Sequence, residues 1–120
     1  MGGVYEPTHQ EVGDKHRYED LLAKARTQGS VRVIVRLKLD DWKPEGDLPN
    51  EQAVAVQREA IANLQARLLN TMASFEVSDV KPFRFVPQVA MKVNATTLQG
   101  LLSNPDVTGI WEDMPLAPGR

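Results

Sequence analysis

Few residues in this 120-residue sequence could carry out acid–base or nucleophilic chemistry. There is no cysteine, which excludes thiolate nucleophiles, disulfides and thiolate metal sites. The two histidines, His9 and His16, lie in the polar and aperiodic segment 1–16, which we interpret as a mobile tail. A general base must be held within ~2.6–3.2 Å of its proton donor, and a tail alone does not hold it there. Two histidines are also too few for a zinc site, so we expect no metal and no cofactor.

Two pairs of adjacent acids outside the predicted N-terminal helix are the remaining candidates for proton-transfer chemistry. They are Asp40-Asp41 and Glu112-Asp113. Neighbouring residues on a strand point to opposite faces, so the members of such a pair do not share a proton. The sequence also contains no glycine-rich phosphate loop. We therefore expect a protein that is not an enzyme.

Charge and hydropathy limit the classes of partner. The formal net charge is -2, with 14 Lys+Arg against 16 Asp+Glu, which gives no general attraction to nucleic acid or anionic membranes. No segment approaches the ~20 consecutive apolar residues of a membrane span. Hydrophobic residues make up 42% of the chain, enough for the core of one compact domain. We expect a monomer when the domain is free, with neither nucleic acid nor membrane as a partner.

The first half of the chain alternates between helical and strand patterns. A short helix is predicted over 17–28, followed by Gly29 at the position of a helix-terminating glycine. Apolar residues then alternate over 31–39, which predicts a strand with one buried face. Asn50 is placed to cap a long helix that runs to about Met72. Its predicted core stripe is Val54, Ile61, Leu64, Leu68 and Met72, with Arg58, Glu59, Gln65 and Arg67 elsewhere on the helix.

The second half repeats this order. Strands are predicted at 80–86 and 89–93, a short helix capped by Asn94 at 95–103, and a last strand at 107–112. The order is βαββαβ, and right-handed crossovers fold it into a ferredoxin-like plait. The predicted fold is α+β: a four-stranded antiparallel sheet with two helices on one face. The N-terminal helix and a mobile tail are additional.

The length of the hairpin loop between the second and third strands decides which face of the sheet Phe83 and Phe85 occupy. A three-residue loop would place both aromatics in the core, whereas a two-residue Pro87-Gln88 turn would place them on the open face of the sheet. We favour the core, because aromatic side chains on strands are usually buried.

Two segments in the second half resemble a known family. They are FRFVPQVAMKV at 83–93 and NPDVTGIWED at 104–113, separated by a short leucine-rich helix. Together they resemble the propeptides of subtilisin-like serine proteases, which have an aromatic-basic-aromatic-Val strand, a hairpin, a helix, and an acidic pair before a tail. The segment GSVRVIV at 29–35 also looks like the first strand of longer members of that family. The resemblance spans about residues 18–120.

The resemblance implies a function as an inhibitor and intramolecular folding chaperone of a subtilisin-like protease, acting in cis within a precursor or in trans. Such domains dock by the sheet on two surface helices of the enzyme, and acids after the last strand cap those helices. By position the capping residues are Asp113 and, less firmly, Glu112, because Trp111 stands where many members have a further acid. The sheet residues implied in docking are Ile34, Arg36, Gln88, Ala90 and Lys92.

The resemblance also implies that the C-terminal tail occupies the protease substrate groove. We expect three regions: the tail 1–16, an inhibitor domain at 17–113, and an inhibitory tail at 114–120. The junction follows Gly119 or Arg120, and the apolar residue four positions before the cleaved bond is then Leu116 or Ala117. The family is secreted or periplasmic. Whether this chain is a free-standing inhibitor or part of a precursor stays open, and so does its cognate protease. The residues expected in the groove are Leu116, Ala117, Pro118, Gly119 and Arg120.

Other proteins that share the plait offer alternative functions. The segment 81–86 loosely resembles an aromatic RNA-binding motif, but it lies on the second strand rather than the third. A regulatory domain that binds small molecules would need glycine-rich turns. An acylphosphatase-type enzyme would need an arginine in the first loop, and 40–49 holds only Lys43 as a cation. The regulatory or small-molecule-binding domain is the main alternative.

Overall fold

The computed structural model describes residues 18–114. Helix α1 covers 18–28 of this range. The elements that follow are β1 Val31–Leu37, a short 3₁₀ helix Glu45–Asp47, α2 Glu51–Thr71, β2 Val77–Pro82, β3 Gln88–Val93, α3 Ala95–Leu102 and β4 Val107–Glu112. The predicted division into 1–16, 17–113 and 114–120 stays a prediction, because both tails lie almost wholly outside the described residues.

The four strands form one antiparallel sheet in the order β2-β3-β1-β4. This strand order and the βαββαβ element order are those of the ferredoxin-like plait. The predicted α+β fold class is therefore confirmed. Because β1 is central, it pairs with two strands from the second half of the chain.

The core lies between one face of the sheet and the helices. Alternate residues of β1, namely Val31, Val33, Val35 and Leu37, are at most 5% exposed. The same cluster contains Leu21 and Ala25 of α1, Leu68 of α2, Met72 after it, Leu98 and Leu101 of α3, Val89, Met91 and Val93 of β3, and Ile110 of β4. Full burial of each large apolar side chain contributes about 1.5–3 kcal/mol. All three helices thus cover the same face of the sheet.

The predicted helix ends are confirmed. The Asn50 side chain accepts a hydrogen bond from the Ala53 N–H at 2.8 Å, and the Asn94 side chain accepts one from the Thr97 N–H at 2.8 Å. Each satisfies a donor that the first helical turn leaves unpaired. Gly29 follows α1 with φ of 87°, a conformation that L-residues other than glycine rarely adopt. These local signals fix where the helices begin and end.

The second strand and its hairpin differ from the prediction. β2 lies at 77–82 rather than 80–86, and a five-residue loop, 83–87, replaces the expected tight turn. The Phe83 N–H donates to the Gln88 carbonyl at 3.0 Å and closes this loop. The preferred core placement was wrong: Phe85 is 49% exposed and Phe83 is half-buried in the loop, so neither lies on a face of the sheet.

The prediction of which α2 residues face the core was also wrong in part. Ile61, Leu68 and Met72 are buried as predicted, and Val54 and Leu64 are half-buried. Gln65, however, is only 6% exposed, and its Nε2 donates to the carbonyls of Phe83 at 2.7 Å and Gln88 at 2.9 Å. This amide supports the hairpin loop, so a polar residue occupies a core position of the helix. Strand β1 also ends earlier than predicted, at Leu37, where its pairing with β4 is irregular.

Candidate functional site

The face of the sheet opposite the helices carries the residues that the sequence singled out. We call this surface the open face. Cross-strand pairing arranges it in three rows. The first row is Ser78, Lys92, Arg32 and Asp113; the second is Lys81, Ala90, Ile34 and Trp111; the third is Gln88, Arg36 and Gly109.

The second row forms an apolar centre on the open face. Ile34 pairs with Ala90 on one side and with Trp111 on the other. Ala90 is 3% exposed, while Ile34 and Trp111 are half-buried. A strand pair of this kind places its side chains ~4.5–5.5 Å apart at Cβ. The result is a small continuous apolar strip whose larger members reach solvent.

The five residues predicted for docking lie together on this face. Arg36 pairs with Gln88 in the third row, and Lys92 pairs with Arg32 in the first. Arg36 and Lys92 are exposed, and Gln88 is half-buried. The geometry therefore joins all five into one surface, and their role in docking stays a prediction.

Asp113 is held at one corner of the open face by Arg32. The Arg32 Nε lies 2.9 Å from Asp113 Oδ2, and the Asp113 N–H donates to the Arg32 carbonyl at 2.9 Å. The Arg32 Nη1 also donates to the carbonyl of Asp79 at 3.0 Å, in a bulge of β2 where Asp79 has φ of 51°. Arg32 thus fixes the carboxylate and links the last strand to the opposite edge of the sheet. The alternation over 31–39 predicts that Arg32 lies on the face opposite Val31 and Val33, but it does not predict the ion pair.

Glu112 lies on the other face of the sheet. It pairs in register with the core residue Val33, and its carboxylate forms an ion pair with Lys24 of α1. The two predicted capping acids are therefore not side by side: one faces the helical layer and the other faces outward. This separation follows from the alternation of side chains along a strand.

The predicted groove-binding residues lie outside the described part of the chain. Leu116, Ala117, Pro118, Gly119 and Arg120 all follow Met114, which is the last residue described and is 65% exposed. The chain leaves β4 after Glu112, and Asp113 follows at the edge of the open face.

A second polar cluster surrounds the hairpin loop. Arg58 of α2 makes two hydrogen bonds to Glu45, at 2.7 and 2.8 Å, and its guanidinium lies 4.8 Å from the centre of the Phe85 ring. The hydrogen bond from Arg58 lowers the pKa of Glu45, and the reciprocal bond raises the pKa of Arg58. The indole N–H of Trp42 donates to the Phe85 carbonyl at 2.8 Å. These contacts hold the loop against α2.

Metal sites and membrane-spanning helices are both absent from residues 18–114. Within that range no three His, Cys, Asp or Glu side chains are grouped so as to hold a metal ion. None of its helices is long and apolar enough to cross a membrane. The segment that resembled an RNA-binding motif ends in the hairpin loop, so its two phenylalanines do not form a platform on the sheet.

Comparison with other proteins gives no relative: no family model, no curated protein and no solved structure matches this chain.

Proposed function

We propose that this domain binds and inhibits a subtilisin-like serine protease and assists the folding of that protease. One observation supports the proposal above the others. The open face has an apolar centre, and the same strand that ends this face at Asp113 leads directly into the C-terminal tail. A docking surface and an inhibitory segment would then be joined by a single strand.

In this proposal the open face packs on surface helices of the protease. Ile34 and Trp111 supply the apolar contact, and burial contributes about 25 cal/mol per Å² of apolar surface removed from water. The Asp113 carboxylate caps the N-terminus of one enzyme helix, where unpaired N–H groups and the helix dipole favour an anion. Glu112 is assigned no such contact, because it points to α1.

The tail 116–120 lies in the substrate groove as an extended strand. Backbone hydrogen bonds to the groove provide affinity, and alternate side chains enter the subsites. The domain blocks the enzyme because its own last residues occupy the place of a substrate. This function implies an extracellular or periplasmic location, because the partner protease acts there.

The test is inhibition of a commercial subtilisin by the parent chain and by three variants of it. Deletion of 116–120 should abolish most inhibition while leaving the circular dichroism spectrum unchanged. Ile34→Glu should weaken binding, because it places a charge in the apolar centre of the open face. Val56→Glu is the matched control, since Val56 is 61% exposed on α2, away from this face.

Two results would contradict the proposal. If the parent chain inhibits no subtilisin-like protease, the protease partner is wrong, and a regulatory or small-molecule-binding plait becomes the better assignment. If the deleted form inhibits as well as the parent, the tail does not act as a substrate mimic. The chaperone activity is tested by whether the chain increases the yield of active enzyme from denatured subtilisin.

A further inference from the structure

The open face is basic, although the chain as a whole is slightly acidic. Its three rows contain the cations Arg32, Arg36, Lys81 and Lys92 but only one carboxylate, that of Asp113. The net charge of the chain is -2. Positive charge is thus concentrated on the one sheet face that the helices leave uncovered.

Three of these cations are available to a partner. Arg36, Lys81 and Lys92 are exposed, and none of them forms an ion pair with another residue of the described range. Arg32 differs, because Asp113 neutralises it. The available charges lie in all three rows, on β1, β2 and β3, and so flank the apolar centre on the side away from β4. An apolar centre with charges at its rim is typical of a protein interface.

We propose that the open face docks on an acidic protein surface, with Ile34 and Trp111 at the centre of the contact and Arg36, Lys81 and Lys92 opposite carboxylates at its rim. This inference rests on the proposed function, in which the partner is a subtilisin-like protease. It narrows the partner to proteases whose docking helices carry acidic side chains. Complementary rim charges of this kind speed association and select among partners.

A protein surface fits the open face better than a nucleic acid does. Binding of single strands depends on aromatic side chains that stack on successive bases. Trp111 is the one aromatic residue in the three rows, and the central strands β1 and β3 contribute none. Ile34 occupies the centre instead, and an aliphatic side chain suits the packing of another protein's side chains.

The test compares two double variants of the full chain with equal change in charge. Arg36→Gln/Lys92→Gln removes two cations from the open face, and Arg26→Gln/Lys43→Gln removes two exposed cations elsewhere. Binding of the parent chain and of each variant is measured on immobilised subtilisin that is inactivated at its catalytic serine. Two such subtilisins are compared: one with its own docking helices, and one with glutamates introduced on those helices. Association rates and Kd are measured at low and high ionic strength.

The open-face variant should bind the acidic subtilisin about three- to thirtyfold more weakly than the parent chain at low salt, and this difference should shrink as salt screens the charges. The control variant should remain within about twofold at either salt concentration.

Equal loss in both variants would overturn the acidic partner while leaving the inhibitor function intact, since the parent chain would still bind subtilisin. Absence of binding to either subtilisin would refute the proposed function and this inference together. Binding of single-stranded RNA, lost in the open-face variant alone, would overturn the protein partner in favour of a nucleic acid.

Discussion

The ion pair between Arg32 and Asp113 allows two roles of Asp113 to be measured separately. We expect Asp113→Ala to lower both the stability of the free domain and its affinity for the protease. The two side chains are 32% and 30% exposed, so solvent still reaches and screens the pair, which contributes about 0.2–1 kcal/mol. In a domain of this size that energy corresponds to a decrease in Tm of about 1–8 °C. Arg32→Ala should decrease Tm further, because it also removes the bond to the Asp79 carbonyl.

The effect of Asp113 on affinity should not depend on Arg32. Loss of a helix cap costs about 0.5–2 kcal/mol, which corresponds to a Kd about threefold to thirtyfold higher. We expect the same ratio when Asp113→Ala is introduced into the Arg32→Ala variant. Inhibition of subtilisin gives the affinities, and thermal unfolding followed by circular dichroism gives the stabilities.

The neighbouring acid is the matched control. Glu112→Ala removes an ion pair with Lys24 on the opposite face, so it should lower stability by a similar amount and leave inhibition unchanged. If Asp113→Ala weakened inhibition only when Arg32 was present, the carboxylate would act by holding Arg32 and the capping role would be refuted. Unchanged inhibition in both backgrounds would refute any contact of Asp113 with the protease.

Three further predictions concern stability. Leu68→Ala should lower the free energy of unfolding by about 2–5 kcal/mol, and Leu64→Ala by less, because Leu68 is fully buried and Leu64 is half-buried. Gln65→Leu should cost about 1–3 kcal/mol and speed amide exchange in the hairpin loop, since it leaves a loop carbonyl without its partner. Arg58 lowers the pKa of Glu45 below its ordinary 4.5, so the pair stabilises the domain above that pH and the contribution is lost as pH falls through the lowered pKa. The Tm of the Glu45→Gln variant should therefore decrease less than that of the parent when the pH is lowered from neutral to about pH 3.

Each of these has a control or a contradicting result. Equal costs for the two leucines, measured by urea unfolding, would mean that the packing of α2 on the sheet is wrong. Gln52→Leu is the control for Gln65, because Gln52 is an exposed glutamine of the same helix and should leave loop exchange unchanged. A parent and a Glu45→Gln variant with the same acid dependence of Tm would show that the pair with Arg58 does not stabilise the fold.

The sequence alone predicts those structural features whose signals lie within a few neighbouring residues. The alternation over 31–37 predicts β1 and its buried face, because the polarity of each residue indicates which face of the sheet its side chain occupies. Asn50 and Asn94 predict helix starts, because a cap is made within three residues of the side chain that forms it. The strand order then follows from handedness rules that hold for nearly all such folds.

Features that depend on distant residues could not be predicted in this way. Gln65 is buried because two carbonyls some twenty residues later need a donor, and a polar residue on a helix gives no sign of that. The hairpin loop was misjudged for the same reason: distant side chains bind it, since the Gln65 amide donates to the Phe83 carbonyl and the Trp42 indole donates to the Phe85 carbonyl. The Arg32–Asp113 pair joins residues 81 positions apart and required the register of β1 with β4.

The central position of β1 has a consequence for synthesis of the chain. β1 is the first strand made, but its two neighbours, β3 and β4, begin at Gln88 and Val107. At roughly 5–20 residues per second, a ribosome needs about 3–10 s to make the residues between β1 and β3. During that interval the apolar face of β1 has no strand beside it, and only the helices made in between could cover it. A translational pause before residue 88 would lengthen this exposure and should increase aggregation of nascent chains, whereas a pause after β4 has left the ribosome should not.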